Sequence, residues 1–191
     1  MKEEALNLLV LLAVLVAVLP ASLLAAEIHS LFHDALIRQR VEAPLVEEFL
    51  KVLGPLMLAL TYRRGVRKMP WLEAGGSWYA LGYLCGFLFG VVENLGYGEF
   101  GGLRFLALFS HALGSGLVGL GLYWGFFCRR RGWGVLAYSA AVLLHSLWNT
   151  ASPFPSRLEV QGLCELMLGL LVFPFLLTRS SRQGKTLAGE K

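Results

Sequence analysis

Long apolar runs alternate with short polar and basic segments along the whole chain. A helix of about 20 apolar residues is long enough to cross the hydrocarbon core of a bilayer. The pattern predicts about six transmembrane helices, at Ala5–Ala26, Leu45–Tyr62, Ser77–Tyr97, Leu103–Phe127, Gly132–Thr150 and Leu158–Thr178. We therefore predict an all-α fold, a polytopic membrane helical bundle that forms a single domain over residues 1–178.

The composition agrees with a membrane protein and excludes other classes. Hydrophobic residues make up 56% of the 191 residues and charged residues only 16%, whereas an average soluble domain carries about 25% charged residues. A disordered chain and a disulfide-rich scaffold are excluded. Because Cys85, Cys128 and Cys164 lie far apart without a CxxC pair, we expect them to act as small hydrophobic residues.

Basic residues mark the orientation of the predicted helices. Lys and Arg cluster at residues 63–68, at 129–131 and in the tail 179–191. Because cytoplasmic loops collect these residues, both termini are predicted to lie inside (N-in/C-in), and the tail is predicted to be a disordered cytoplasmic segment. The net charge of +4 thus indicates orientation in a lipid bilayer, not nucleic-acid binding. We expect a multi-pass integral protein of the plasma membrane.

Several ionisable residues interrupt the apolar runs, although one charge at the centre of a membrane helix costs roughly 2.5–3.5 kcal/mol. Such residues are candidates for function by default. Five of them, each from a different run, lie roughly 21–27 Å along the helix from its inner end at a rise of about 1.5 Å per residue. They are Glu47, Glu93, His111, His145 and Glu165. The sequence therefore predicts one polar layer in the outer part of the bilayer.

Two short spacings add chemistry to this layer. Lys51 follows Glu47 by four residues and Glu48 by three, so it can neutralise one of the two carboxylates. His145 and Asn149 are four residues apart and share a helix face. A glutamate can take a proton from water, and histidine and asparagine N–H groups can stabilise an oxyanion. The set suits hydrolysis of an amide, and the chain contains neither GxSxG nor HExxH.

Four ordered segments resemble the motifs of the PrsW family of intramembrane proteases. In the family's order they are EEFLK at 47–51 (EExxK), FGVVEN at 89–94 (FxxxEN), Arg104 with His111 (Arg…HA…G) and HSLWN at 145–149 (HxxWN). Each segment lies on a separate predicted helix. The likeness covers about residues 45–149, the expected core of a protease domain.

The resemblance implies an intramembrane endopeptidase and assigns roles to individual residues. Glu47 is the implied base on water, with Glu48 in support, while His145 and Asn149 stabilise the oxyanion. Glu93 and His111 are further catalytic candidates, and Lys51, Asn94 and Arg104 are supporting positions. The implied substrate is a membrane-anchored protein, such as an anti-sigma factor, that is cleaved on its outer side.

Two alternatives to a metal-free glutamate mechanism stay open. Glu93 stands where the related CAAX-prenyl proteases have a histidine, and His111 can substitute for that position. The first alternative is a zinc-dependent mechanism. Glu93, His111 and His145 are competent zinc ligands, with Glu47 as the base, although no HxxxH pair anchors them. The second alternative is a membrane transporter, proton relay or scaffold, because buried carboxylates and histidines serve transport as well.

Two further patterns carry structural expectations. His29 and His33 lie in the polar segment 27–44, which we interpret as an amphipathic connection at the membrane surface. Gly82, Gly86 and Gly90 recur every four residues, a spacing that lets two helix backbones approach closely. We therefore favour an interfacial amphipathic helix over a surface metal site at the two histidines, and we expect a tight seam between helices at the glycines.

Overall fold

The computed structural model describes residues 3–63, 70–98, 101–151, 154, 157, 159–165 and 167–168. Within these ranges the regular structure is entirely helical and no strand occurs, as predicted. The α-helices are α1 (Glu3–Val16), α2 (Val18–Ser30), α3 (Ala35–Ile37), α4 (Ala43–Lys51), α5 (Leu53–Arg63), α6 (Gly75–Tyr97), α7 (Leu103–Phe126) and α8 (Arg131–Ala151). A π-helical turn spans Arg38–Glu42, and a 3-10 turn spans Pro70–Glu73.

Three helical stretches of the described chain are long and apolar enough to cross a membrane: Asn7–Ser30, Gly75–Tyr97 and Leu103–Phe126. The first has a mean hydropathy of 2.9, and only 22% of its most apolar window is buried inside the protein. Most of its leucines are exposed, Leu23 by 69%, while Leu11 and Leu15 pack against the core. Because soluble proteins rarely leave such apolar surface in water, this face is suited to lipid.

The second predicted span is not one helix. Helix α4 ends at Lys51 and α5 begins at Leu53, while Val52 between them leaves helical geometry at φ −102° and ψ 10°. Pro55 explains the break because it has no N–H group to bond the carbonyl of Lys51 four residues earlier. The prediction of one helix over Leu45–Tyr62 is therefore wrong.

The other predicted boundaries differ in smaller ways. Residues 27–44 were expected as a connection, but α2 extends to Ser30 and the π-helical turn leads directly into α4. Helix α8 covers the fifth predicted span. Residues 159–165 of the sixth span are helical, while most of the remainder and the tail 179–191 lie outside the described residues. The six-span, N-in/C-in topology therefore stays a prediction.

Glycines bring α6 and α7 into direct backbone contact. A Cβ atom on Gly82 would collide with the carbonyl oxygen of Ser115, and one on Gly86 would collide with that of His111. From the other side, a Cβ on Gly119 would collide with the carbonyl oxygen of Trp78. The predicted glycine seam is confirmed, and it holds His111 of α7 against the second half of α6.

We predict that Gly119→Ala destabilises the protein because its methyl group has no room at the seam. Overpacking of this kind costs about 1–3 kcal/mol. Thermal unfolding of the detergent-solubilised protein, followed by circular dichroism, measures the loss. Gly125→Ala on the same helix is the control, since nothing lies within 4 Å of its Cβ position. Equal unfolding temperatures for the two variants would contradict the seam.

Candidate active site

Helix α4 carries an ion cluster on its buried side. The exposed fractions are 7% for Glu47, 1% for Glu48 and 1% for Lys51. The Lys51 ammonium donates a hydrogen bond of 2.7 Å to Oε1 of Glu48 and lies 3.4 Å from Oε2 of Glu47. One ammonium therefore faces two carboxylates, as the i,i+3 and i,i+4 spacings predicted.

Two histidines from other helices complete this cluster. Nδ1 of His111, on α7, accepts a hydrogen bond of 2.7 Å from the Lys51 ammonium. Nδ1 of His145, on α8, lies 3.0 Å from Oε1 of Glu48. The two rings meet edge to face, with centroids 5.2 Å apart. Five ionisable groups from three helices thus form one continuous network inside the protein.

Glu93 joins the network from α6. Its Oε2 atom lies 2.9 Å from Nε2 of His111, and its Oε1 atom lies 3.8 Å from Nη1 of Arg104. Because Lys51 donates to Nδ1 of His111, the proton of a neutral His111 ring is on Nε2, the ring nitrogen that lies next to Glu93. Phe89, one turn before Glu93, places its ring centroid 4.9 Å from the Lys51 ammonium, a cation–π contact.

Asn94 and Arg104 connect the end of α6 to the start of α7. The Asn94 amide donates a 2.9 Å hydrogen bond to the backbone carbonyl of Arg104, and Asn94 is only 1% exposed. The Arg104 guanidinium stacks 4.0 Å above the Tyr97 ring. These contacts set the position of Glu93 relative to His111.

Helix α8 is fastened to the π-helical turn by two side chains. The Asn149 amide donates to the carbonyl oxygen of Gln39 at 2.8 Å, and the Ser146 hydroxyl donates to that of Arg40 at 2.6 Å. Pro44 leaves one of these carbonyls without a helical donor, because it has no N–H group to bond the carbonyl four or five residues earlier. The Asn149 amide, which was expected on the oxyanion side, therefore also bonds a backbone carbonyl of the π-helical turn.

His29 also enters the site. It ends the apolar helix α2, and its Nε2 atom lies 3.0 Å from Oε1 of Glu47. Its Nδ1 atom lies 2.8 and 3.0 Å from the two carboxylate oxygens of Glu42. The sequence did not predict this contact of His29 with Glu47, while His33 is exposed. No motif marks His29, and its contact depends on how α2 packs against α4.

Glu165 is buried close to the network, at 3% exposure. Its Oε1 atom accepts a 2.7 Å hydrogen bond from Gln161, one turn earlier.

A cavity of about 810 Å³ reaches the ion cluster. Its wall includes Glu47, Glu93, His111, His145 and Asn149. Glu48 and Lys51 lie behind this wall. Oε2 of Glu47 has no hydrogen-bond partner within the ranges that the structure describes, and it lies 3.8 Å from Nε2 of His145. Of the two adjacent glutamates, Glu47 is thus the one that lines the cavity.

The family comparison confirms the resemblance that the motifs indicated. A model described as PrsW family intramembrane metalloprotease matches residues 4–178, which is nearly the whole chain. The chain belongs to the PrsW family. Membership in PrsW implies an integral membrane peptidase whose substrates are membrane proteins. Neither a curated protein nor a solved structure matches the chain.

The PrsW description names a metalloprotease, and one group of residues has suitable ligands. Glu47, His111 and His145 each offer an atom within 4.8 Å of those of the other two. Two imidazoles and one carboxylate form a ligand set that zinc accepts in hydrolases. The set differs from the predicted one, since Glu47 takes the place of Glu93. The Lys51 ammonium already contacts Nδ1 of His111, so a metal ion would compete with it.

We predict that Lys51→Met destabilises this PrsW-family protein because it leaves the Glu48 carboxylate buried without its cation. Breaking a buried ion pair from one side costs about 3–5 kcal/mol. Equilibrium unfolding in detergent micelles, followed by tryptophan fluorescence, measures this loss. The double variant Glu48→Gln/Lys51→Met removes both charges and should recover most of it. A single variant as stable as the wild type would show that the pair does not stabilise the fold.

Proposed function

We propose that this protein is an intramembrane endopeptidase in which the Glu47 carboxylate activates water. The observation that carries the proposal is that Glu47 lines the cavity, while its buried Oε2 atom lacks a hydrogen-bond partner within the described ranges. A base must lie within hydrogen-bond reach of the water that it deprotonates. The Oε2 atom of Glu48 also lacks a hydrogen-bond partner there, but Glu48 does not line the cavity, and Lys51 and His145 both bond its Oε1 atom.

The proposed reaction needs one base and donors on the opposite side of the substrate. Glu47 takes a proton from water as the water oxygen attacks the peptide carbonyl carbon, and negative charge develops on the carbonyl oxygen. When Nε2 of His145 carries a proton, it donates a hydrogen bond to this oxyanion. Nδ1 of the same ring is already in contact with Oε1 of Glu48. The proton is then returned to the leaving amine. Asn149 lines the same cavity and supports the oxyanion side.

The supporting residues keep the base and its cation in place. Lys51 balances the negative charge of Glu47 and Glu48, and its Nζ atom links both to His111. Glu93 orients the His111 ring from the other side, and Arg104 lies against Glu93. Catalysis by such fixed charges requires no rearrangement at the moment of reaction.

The substrate side of the proposal follows from where the cavity opens. It reaches the last turn of α2, the end of α6 and the start of α7, with Ser30, Tyr97 and Leu103 in its wall. In a six-span, N-in/C-in, multi-pass topology these ends share the outer side of the plasma membrane. A membrane-anchored protein cleaved near its outer end, such as an anti-sigma factor, would enter there. The basic tail 179–191 would then lie in the cytoplasm.

We predict that Glu47→Gln reduces cleavage of a membrane peptide by about 10²–10⁴-fold, the usual contribution of a general base. The measurement uses purified protein in detergent and a library of peptides with one transmembrane segment. Glu27→Gln is the matched control, because it makes the same change on an exposed turn of α2 and should leave the rate unchanged. Cleavage that survives Glu47→Gln in a folded protein would instead favour a transporter, relay or scaffold.

A metal-dependent peptidase is the second candidate, favoured by the ligand set of Glu47, His111 and His145. Zinc bound there would supply a polarised water and carbonyl, and these three side chains would hold it. Because Glu47 would be a ligand, it would not act as a separate base.

We expect cleavage to survive exhaustive chelation, because the Lys51 ammonium already supplies positive charge between Glu48 and His111. The measurement compares turnover before and after dialysis against a chelator, with the zinc content of the protein determined in parallel. Loss of activity that returns with stoichiometric zinc would establish the second candidate.

A further inference from the structure

Both ring nitrogens of His29 face carboxylates. Nδ1 contacts the two oxygens of Glu42, and Nε2 contacts Oε1 of Glu47. Both glutamates are buried, at 5% and 7% exposure, while the His29 side chain is 22% exposed. A ring held at both nitrogens cannot turn without breaking several contacts. Glu42 therefore fixes the orientation of the His29 ring, and the ring in turn fixes the orientation of the Glu47 carboxylate.

We propose that His29 and Glu42 form a positioning pair that fixes the orientation of the Glu47 carboxylate, and so which of its oxygens faces Lys51 and His145. The inference rests on the proposed function, since it concerns the orientation of the proposed base. His29 does not touch the reacting atoms in this scheme. It acts on the reaction only through Glu47.

The terminal torsion of a glutamate is broad and roughly two-fold, so its two oxygens exchange easily unless neighbours distinguish them. Here Oε1 of Glu47 is bonded to His29, while Oε2 lies 3.4 Å from Nζ of Lys51 and 3.8 Å from Nε2 of His145. Without His29, the carboxylate can rotate towards Lys51 and bond it with either oxygen. The contact with His29 therefore keeps Oε2, and not Oε1, on the side of Lys51 and His145.

The backbone around Glu42 makes this pair rigid. Glu42 ends the π-helical turn, whose carbonyls at Gln39 and Arg40 are bonded by Asn149 and Ser146 of α8. Helix α8 also carries His145, so the same helix supports both sides of the site. Outer partners of this kind change activity by about 10–100-fold when they are removed in metalloenzymes, where they orient a ligand. We expect an effect of similar size here.

Two amide variants separate positioning from simple structural support. In His29→Gln the terminal amide nitrogen reaches the place of Nε2 and can still donate to Glu47. In His29→Asn the shorter amide takes the place of Nδ1 and bonds Glu42 alone. If His29 positions Glu47, His29→Asn lowers kcat about 10–100-fold with KM changed less than about twofold. His29→Gln should keep most of the wild-type kcat, and His33→Asn, at an exposed neighbour, should keep all of it.

The assay uses full-length protein in detergent and a quenched-fluorescent peptide with one transmembrane segment, chosen from a library by wild-type cleavage. Unfolding temperatures are measured for every variant. Equal kcat losses in the Asn and Gln variants, or losses that follow the unfolding temperature, would overturn the proposal. They would show that His29 only stabilises the packing of α2 against α4. Wild-type kcat in His29→Asn would overturn it as well.

A spectroscopic measurement keeps this inference separate from the proposed function. In protein labelled with ¹⁵N-histidine, Glu47→Gln should shift the Nε2 resonance of His29, and Glu42→Gln should shift its Nδ1 resonance. Neither shift requires a substrate. If the wild type cleaves no peptide but both shifts occur, the proposed function fails while the His29 contacts stand. If neither resonance moves, the positioning pair is overturned whatever the activity.

Discussion

The Lys51 ammonium lies between a carboxylate oxygen of Glu48 and a ring nitrogen of His111, each 2.7 Å away. Removing one ion from water costs several kcal/mol, and only good contacts on several sides offset that cost. Those contacts come from α4, α7 and from Phe89 on α6. The three helices must therefore meet at one height. The groups proposed for catalysis lie there because the buried ion requires partners at that point.

Backbone carbonyls without helical donors form the second constraint. Pro44 and Pro55 stand near the two ends of α4, and each removes a donor from the preceding turn. The Asn149 amide bonds a carbonyl released by Pro44, and the Asn94 amide bonds the carbonyl of Arg104 at the start of α7. Both asparagines belong to segments that resemble catalytic motifs. Their observed contacts hold helix ends in place, so a motif residue can serve geometry and chemistry at once.

Different roles are proposed for the two adjacent glutamates because they lie at different depths behind the cavity surface. Glu47 adjoins the cavity, whereas Glu48 is 1% exposed and bonded by Lys51 and His145. Hydrolysis inside a membrane needs water at the base but not at its supporting charges, because water weakens electrostatic interactions. The cavity provides this separation. His29, which also lines the cavity, contacts the Oε1 atom of Glu47, the proposed base.

The sequence by itself determined the helical class, the buried polar layer and the pairing of Lys51 with its two glutamates, because helix spacing and membrane depth are local properties. It could not show that Glu47 lines the cavity while Glu48 does not, nor that the second predicted span is broken at Val52. His29 lies outside every motif, and the packing of α2 against α4 alone brings it to Glu47. Contacts between helices depend on how each one is rotated and tilted, and those angles result from the packing of the whole bundle.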